Sequence, residues 1–403
     1  MKKKANAGIG LKGNIRQYTM LIALVAVIVL FQFLTGDKGV GFFKRFGSGI
    51  LLQPNNISNI IQQNAYVLIL AVGMLLCILT VGNIDLSVGS IVAVVGAISA
   101  VMVLKWDYPV WISIVVGLIV GVIIGAWHGF WIAYVGIPAF IVTLAGMLIF
   151  RGFTMVILGG TSLAPLPTNY TFMAAGFVPD IASIEGINLL ALLAGVAAVV
   201  AVAFSESLKR ANKKKYKFDT EPFWAFVLKI VGIGAAIMAF TYALAKYKGL
   251  PVVLIIVVVL VLIYTFITTK TIPGRHIYAY GGNPRAAELS GVKTKKVLFW
   301  VYVNMGLLSA LAGIVFTGRL NSATPKAGNG FELDAIASCF IGGASTTGGV
   351  GTVIGAIIGG LLMGVLNNGM SIMGVTVDWQ QTIKGFVLLL AVAFDVLSKA
   401  RTK

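Results

Sequence analysis

Residues 251–268 read PVVLIIVVVLVLIYTFIT, residues 273–296 read PGRHIYAYGGNPRAAELSGVKTKK, and residues 297–317 read VLFWVYVNMGLLSALAGIVFT. Each flanking run is apolar over about the 20 residues needed to cross the hydrocarbon core of a bilayer. The segment between them is polar and basic and has no place in lipid. The chain therefore crosses, turns in water and crosses back, and the polar island stands free for another protein to grip.

The rest of the sequence repeats this pattern. It is 58% hydrophobic and only 11% charged, with a mean hydropathy of +0.96 over 403 residues; a soluble domain carries about 25% charged residues. Forty-eight glycines suit helices whose backbones approach closely in lipid. The net charge of +18 would suggest nucleic acid in a soluble protein. Here cytoplasmic loops collect the cations, and no nucleic-acid partner is implied. Cys77 and Cys339 sit in apolar or small-residue surroundings and read as core thiols.

Apolar runs of spanning or near-spanning length lie at 17–35, 57–81, 88–104, 110–127, 138–158, 188–204, 225–245, 251–268, 297–317, 350–368 and 379–397, with a shorter Gly-rich stretch at 334–348. The basic residues before the first run mimic a signal peptide, but the run is long and FLTGDKG offers no small-x-small cleavage site. It reads as a retained first span. Twenty of the 31 Lys and Arg fall before Tyr18, in 205–224, in 269–296 and after Leu397, whereas 158–187 has none. The positive-inside rule puts those four segments in the cytoplasm and 158–187 outside. Lys38, Lys44 and Arg45 depart from this scheme. Both termini inside requires an even number of crossings, so 334–348 is expected to be a short, broken crossing. The expectation is an all-α, polytopic helical membrane bundle, 1–403 as one domain, with about 10–12 spanning helices. Residues 205–224 would be a basic cytoplasmic loop and 269–296 a second one. VGSIVAVVGAI (88–98) against VGTVIGAIIGG (350–360), GVIIG (121–125) against GAIIG (355–359), and TLAG (143–146) against TIKG (382–385) hint at a pseudo-two-fold internal repeat.

Within the island, Asn283 suits an N-cap, Pro284 the first helical position and Gly291 a stop. Two turns of helix need support from the loop or a partner. Arg285 in the first turn is disfavoured by the helix dipole by a few tenths of a kcal/mol, which an acidic docking surface would offset. An amphipathic helix lying on the membrane surface accounts for the same residues equally well. Asp85, in GNIDLSVGS between two spans, is costly so close to hydrocarbon and is a functional residue by default. Capping a helix from Leu86 would also explain it. Trp106, Tyr108, Trp111, Trp127, Trp131 and Trp379 lie near run ends as an interfacial belt. Arg151 and Lys384 read as snorkelling cations and Asp395–Lys399 as a surface pair. No G-x-x-x-x-G-K-[ST] loop occurs, which excludes ATP hydrolysis of the P-loop kind. Neither a metal spacing around His128 and His276 nor a Ser–His–acid arrangement is present, so the chain does not read as an enzyme.

HIYAYGGNPRAAELSGV (276–292) resembles the signature cytoplasmic loop of bacterial ABC-type monosaccharide permeases, the ribose, xylose, arabinose and galactoside family. GNIDLSVGS (82–90), GIPAFIVTLAGMLIFRG (136–152) and GGASTTGGVGTVIGA (342–356) resemble its other motifs in the same order. The likeness runs from about Asn56 to Phe394, and the extra length at 205–246 is most like the xylose branch. The resemblance implies an inner-membrane importer subunit moving a monosaccharide, with an extracytoplasmic sugar-binding protein and a permease homodimer. ATP would be used by a separate cytoplasmic ABC ATPase, and this chain would bind no cofactor. By position, Asn283, Pro284, Arg285, Ala287, Glu288, Ser290 and Gly291 would contact that ATPase. Gln62, Gln63, Asn64, Asn83, Asp85, Ser87, Thr143, Ser345, Thr346 and Thr347 are then candidates for the sugar path. Amides within spans also serve as interhelical glue. A stand-alone ion-coupled carrier is the alternative class; it would need buried carboxylate or histidine relays, for which Asp85 is the one good candidate. A structural subunit without transport is a third.

Overall fold

Backbone in hydrocarbon must satisfy its own N–H and C=O groups, so the apolar runs have little choice but to coil. The computed structural model describes residues 7–400 except 38, 40, 181, 182, 185, 217, 219 and 221, with side chains from 20 to 397 apart from 183, 184, 394 and 395. The helices in order are α1 (Ala7–Leu34), α2 (Phe42–Gly47), α3 (Pro54–Leu79), α4 (Val88–Leu104), α5 (Val110–Phe130), α6 (Ala139–Leu158) and α7 (Thr168–Ala175). A two-residue hairpin, β1 (Ser183–Ile184) and β2 (Ile187–Asn188), leads to α8 (Leu189–Lys215) and α9 (Phe223–Ala245). Then come α10 (Val252–Lys270), α11 (Ile272–Gly282), α12 (Pro284–Leu289), α13 (Thr294–Leu320), α14 (Phe331–Ile341), α15 (Val353–Ile372) and α16 (Val377–Ala400). A π-helical turn, Trp131–Val135, carries α5 onward.

Eight of these helices are long and apolar enough to cross a membrane, and α1 and α4 add shorter apolar stretches. Among the described residues α16 is a further long helix, and α14 is too short to cross alone. The stretch 334–348 does break as expected. Residues 321–330 return into the bundle without helix, α14 runs eleven residues, and 342–352 is irregular again. The expected loop 205–224 is corrected: α8 continues helical to Lys215, because Glu206, Lys209 and Lys213 to Lys215 are good helix formers on a helix already begun in lipid. The Asp395–Lys399 pair involves side chains outside the described residues.

The centre belongs to α3 and α13, whose side chains are mostly buried, while α8 and α9 bury almost none of their apolar surface. Gly313 of α13 meets Val92 and Gly96 of α4 meets Thr317, so α4 and α13 run parallel. Gly121 and Gly125 of α5 meet Gly306 and Val303 in the opposite sense, backbone against backbone. Packing partners are exchanged two-fold. α3 lies on α14 and α15 as α13 lies on α4 and α5, and α4 touches α6 as α14 touches α16. Each unit is a long helix, an irregular arm (80–87 or 321–330) and three further helices. This pairs α5 with α15 and α6 with α16, as two of the sequence matches do. The third is corrected: α4 (88–98) corresponds to α14, not to 350–360, since both helices start where an arm ends. Those starts touch at Gly89 and Gly328, each filling the space a Cβ on the other would need.

Cys77 and Cys339 are buried free thiols, Cys339 donating to Ala71 O at 3.3 Å. Trp106, Tyr108, Trp111, Trp127 and Trp379 are exposed on the rim as expected of a belt, and Trp131 is partly so. Arg45 stacks on the Phe33 ring at 4.3 Å and its Nε donates to Phe33 O at 3.1 Å.

Candidate functional site

The polar island folds as two short helices. Thr271 caps α11, its Oγ1 accepting from Gly274 N at 3.4 Å. Asn283 caps α12 as predicted, its Oδ1 accepting from Ala286 N at 3.0 Å, with Pro284 at the first position. Gly291 (φ +85) ends it: Gly291 N donates to Glu288 O at 2.9 Å and Val292 N to Ala287 O at 3.0 Å. A six-residue helix closed at both ends is a rod. Arg285, Glu288, Leu289 and Ser290 all face outward, and Leu289 is 84% exposed. Ala287 is the exception, buried at 5%. Its side chain faces inward, seating α12 against α11 and α13.

What the rod is tied to matters more. Gly281, near the end of α11, lies against Leu79 O at the end of α3 and against Gly349. Gly349 N donates to Leu79 O at 3.0 Å, and Tyr278 Oη to Gly351 O at 2.7 Å. Gly82 in turn lies against Thr346 O. Burial pushes the Tyr278 phenol up, and burial with the Glu288 charge does so for Tyr280, so Tyr278 stays a donor at neutral pH. Three sequence motifs, 82–90, 276–292 and 342–356, therefore meet at one junction of bare backbone. Glycine is required there because a side chain on any of the three strands would separate them.

The other predicted path residues do not form one site. Asp85 is buried and accepts from Ser87 N (2.8 Å) and Ser87 Oγ (2.6 Å). The capping assignment is corrected, since α4 starts at Val88 and Asp85 closes a turn before it. Asn83 stands near the junction with partly buried Thr346; Ser345 is buried, bonded to the exposed Thr347 at 2.9 Å. Gln62 and Gln63 line a cavity of about 170 Å³ with Tyr66 and Arg319 near the far end of α13. Asn64 points another way, donating to Ile60 O at 2.8 Å. Thr143 is buried and donates to Ala139 O of its own helix at 2.9 Å.

One polar cluster within the bundle is absent from the sequence reading. Asp334 of α14, 3% exposed, pairs with Lys384 of α16 at 3.1 Å. Asn329, Glu332 and Gln381 join them around a cavity of about 270 Å³. Arg151 of α6 donates to Pro325 O at 3.4 Å and to Ala327 O, holding the irregular arm. The snorkelling roles of Arg151 and Lys384 are thus corrected: both turn inward, where carbonyls and a carboxylate await them. The signal was present, an acid in one apolar run and a cation in another, each costly unless paired.

A family described as "Branched-chain amino acid transport system / permease component" matches residues 56–392, across both units and the junction. The chain belongs to this permease family. It is 36% identical over 388 residues to the xylose transport system permease protein XylH of Haemophilus influenzae, covering 96% of this chain and 98% of that one. Identity is also 36% over 394 residues to XylH of Escherichia coli, covering 98% and 95%. The ribose import permease protein RbsC of Bacillus subtilis is 37% identical over 344 residues, 85% of each chain. No solved structure matches. The resemblance drawn from the four motifs holds: this is a multi-pass transport permease, a component of a transport system and not itself an enzyme.

Proposed function

We propose that this permease carries xylose, or a closely related monosaccharide, across a bacterial inner membrane as part of an ATP-binding-cassette importer. An extracytoplasmic binding protein delivers the sugar, a cytoplasmic ATPase consumes the ATP, and two copies of this chain enclose the route. The observation that carries the reading is the capped, outward-facing α12 joined through α11 to the Gly281–Leu79–Gly349 junction. A push on α12 reaches the ends of α3 and of the 342–352 loop through rigid, side-chain-free contacts. The loop adjoins α14 and α15, and α14 carries Asp334, Glu332 and the polar cavity whose groups suit sugar hydroxyls. Asn283, Pro284, Arg285, Glu288, Ser290 and Gly291 form the ATPase contact in this reading.

Arg285→Glu tests it. The variant should insert and fold as before, because Arg285 is exposed, yet uptake of labelled xylose should vanish when the ATPase and binding protein are present. Normal uptake would defeat the docking role. The Asp334–Lys384 pair favours one other reading, an ion-coupled carrier working alone, since intramembrane ion pairs mark proton and ion routes. Vesicles holding only this chain under a proton or sodium gradient separate the two: no sugar flux is expected, and gradient-driven flux would decide for the carrier.

A further inference from the structure

The geometry points to a binding site for the phosphate of an anionic phospholipid at the cytoplasmic end of the α8–α9 hairpin. A cavity of about 350 Å³ opens there between the two helices. Lys209, Arg210 and Lys213 of α8 and Lys229 of α9 line it. Among the described lining residues the one carboxylate is Glu206, and it is engaged by Lys209 at 2.7 Å and Lys229 at 2.6 Å. Arg210 has no acid. Its guanidinium lies over the rings of Phe226 at 4.6 Å and Phe223 at 5.5 Å, and its buried Nη1 has no hydrogen-bond partner among the described residues. A buried, unsatisfied donor on a fixed cation costs free energy unless an acceptor arrives. A phosphate oxygen matches it in charge and in fork geometry.

The surroundings select a lipid over a free anion. The hairpin is peripheral, with the apolar parts of α8 and α9 facing outward almost throughout. Phe204 and Leu208 on α8 and Trp224 and Leu228 on α9 are exposed beside the cations. A ligand with its phosphate on Arg210 and Lys213 would lay its acyl chains along that apolar surface. Basic pockets between spanning helices on the cytoplasmic side bind anionic headgroups on the same principle. The site would hold the edge of a hairpin that has little packing of its own to fix it.

The test is native mass spectrometry of the full chain with dioleoyl phosphatidylglycerol. Retention of that lipid should exceed retention of dioleoyl phosphatidylcholine, and millimolar inorganic phosphate should not displace it. At about 1 kcal/mol per cation near the surface, Arg210→Gln should weaken retention roughly fivefold and Arg210→Gln with Lys213→Gln roughly thirtyfold, while Lys295→Gln in the first turn of α13 leaves it unchanged. Equal retention by the double variant, equal competition from phosphatidylcholine, or displacement by phosphate would each overturn the proposal. Should the variants fold poorly, the unaltered protein decides. Photoactivatable phosphatidylglycerol should label the segment 204–229 above the more apolar 252–270, and even labelling would refute the site.

Discussion

Gly281→Ala, set beside Gly282→Ala, isolates the junction that is central to the coupling argument. Both glycines end α11, and alanine gains up to about 1 kcal/mol of helix propensity at either. They differ in what a methyl group meets. At Gly281 it would overlap Leu79 O and stand 2.6 Å from Gly349 N and 3.0 Å from Gly349 Cα; at Gly282 nothing lies within 4 Å. Carbon atoms prefer about 3.5–4.0 Å, so the strands must part by about 0.5–1 Å or more. The obstacle is backbone, which cannot rotate away as a side chain could. Overpacking of this kind costs about 1–3 kcal/mol, offset in part by propensity. Thermal unfolding of the purified permease should show a lowered midpoint for Gly281→Ala and an unchanged or raised one for Gly282→Ala. Uptake per folded molecule should fall for the first variant alone, because separated strands transmit less of α12's movement. Equal midpoints and equal uptake for the pair would refute the reasoning.

Asp334→Asn should lower stability by about 3–5 kcal/mol by stranding Lys384, and Lys384→Met should recover much of it; a thermal double-mutant cycle without coupling would contradict the pairing. Asn283→Ala should cost about 1 kcal/mol through loss of the α12 cap, whereas Asn283→Asp should cost little; hydrogen exchange at Ala286 reads the difference. Arg151→Ala should free the Pro325 and Ala327 carbonyls and loosen the arm 321–330, seen as faster labelling of a cysteine introduced at Lys326 in a background lacking Cys77 and Cys339.

The helical membrane bundle and the capped rod were legible in the sequence for local reasons. Hydrophobic length fixes a span, and Asn283, Pro284 and Gly291 act through neighbours within a few residues. The same local rules misassigned residues whose partners are remote. Arg151 and Lys384 looked like headgroup seekers until α14 and its arm supplied carbonyls and Asp334. Asp85 looked like a cap because the break before Val88 leaves no periodic trace. The α8 extension was misread because charge usually ends a span, although it need not end a helix.

By itself, the order of residues determined that this chain must live in a bilayer and that a short helix is held out from it. Tertiary structure alone decided that three distant glycine-bearing motifs touch, that two half-way helices start back to back, and that an acid and a lysine fifty residues apart neutralise each other. Lipid-facing and protein-facing apolar surface look alike in sequence, since the hydrophobic effect does not distinguish them inside a membrane. Close backbone contact and buried charge pairing make that choice, and both depend on residues far apart in the chain.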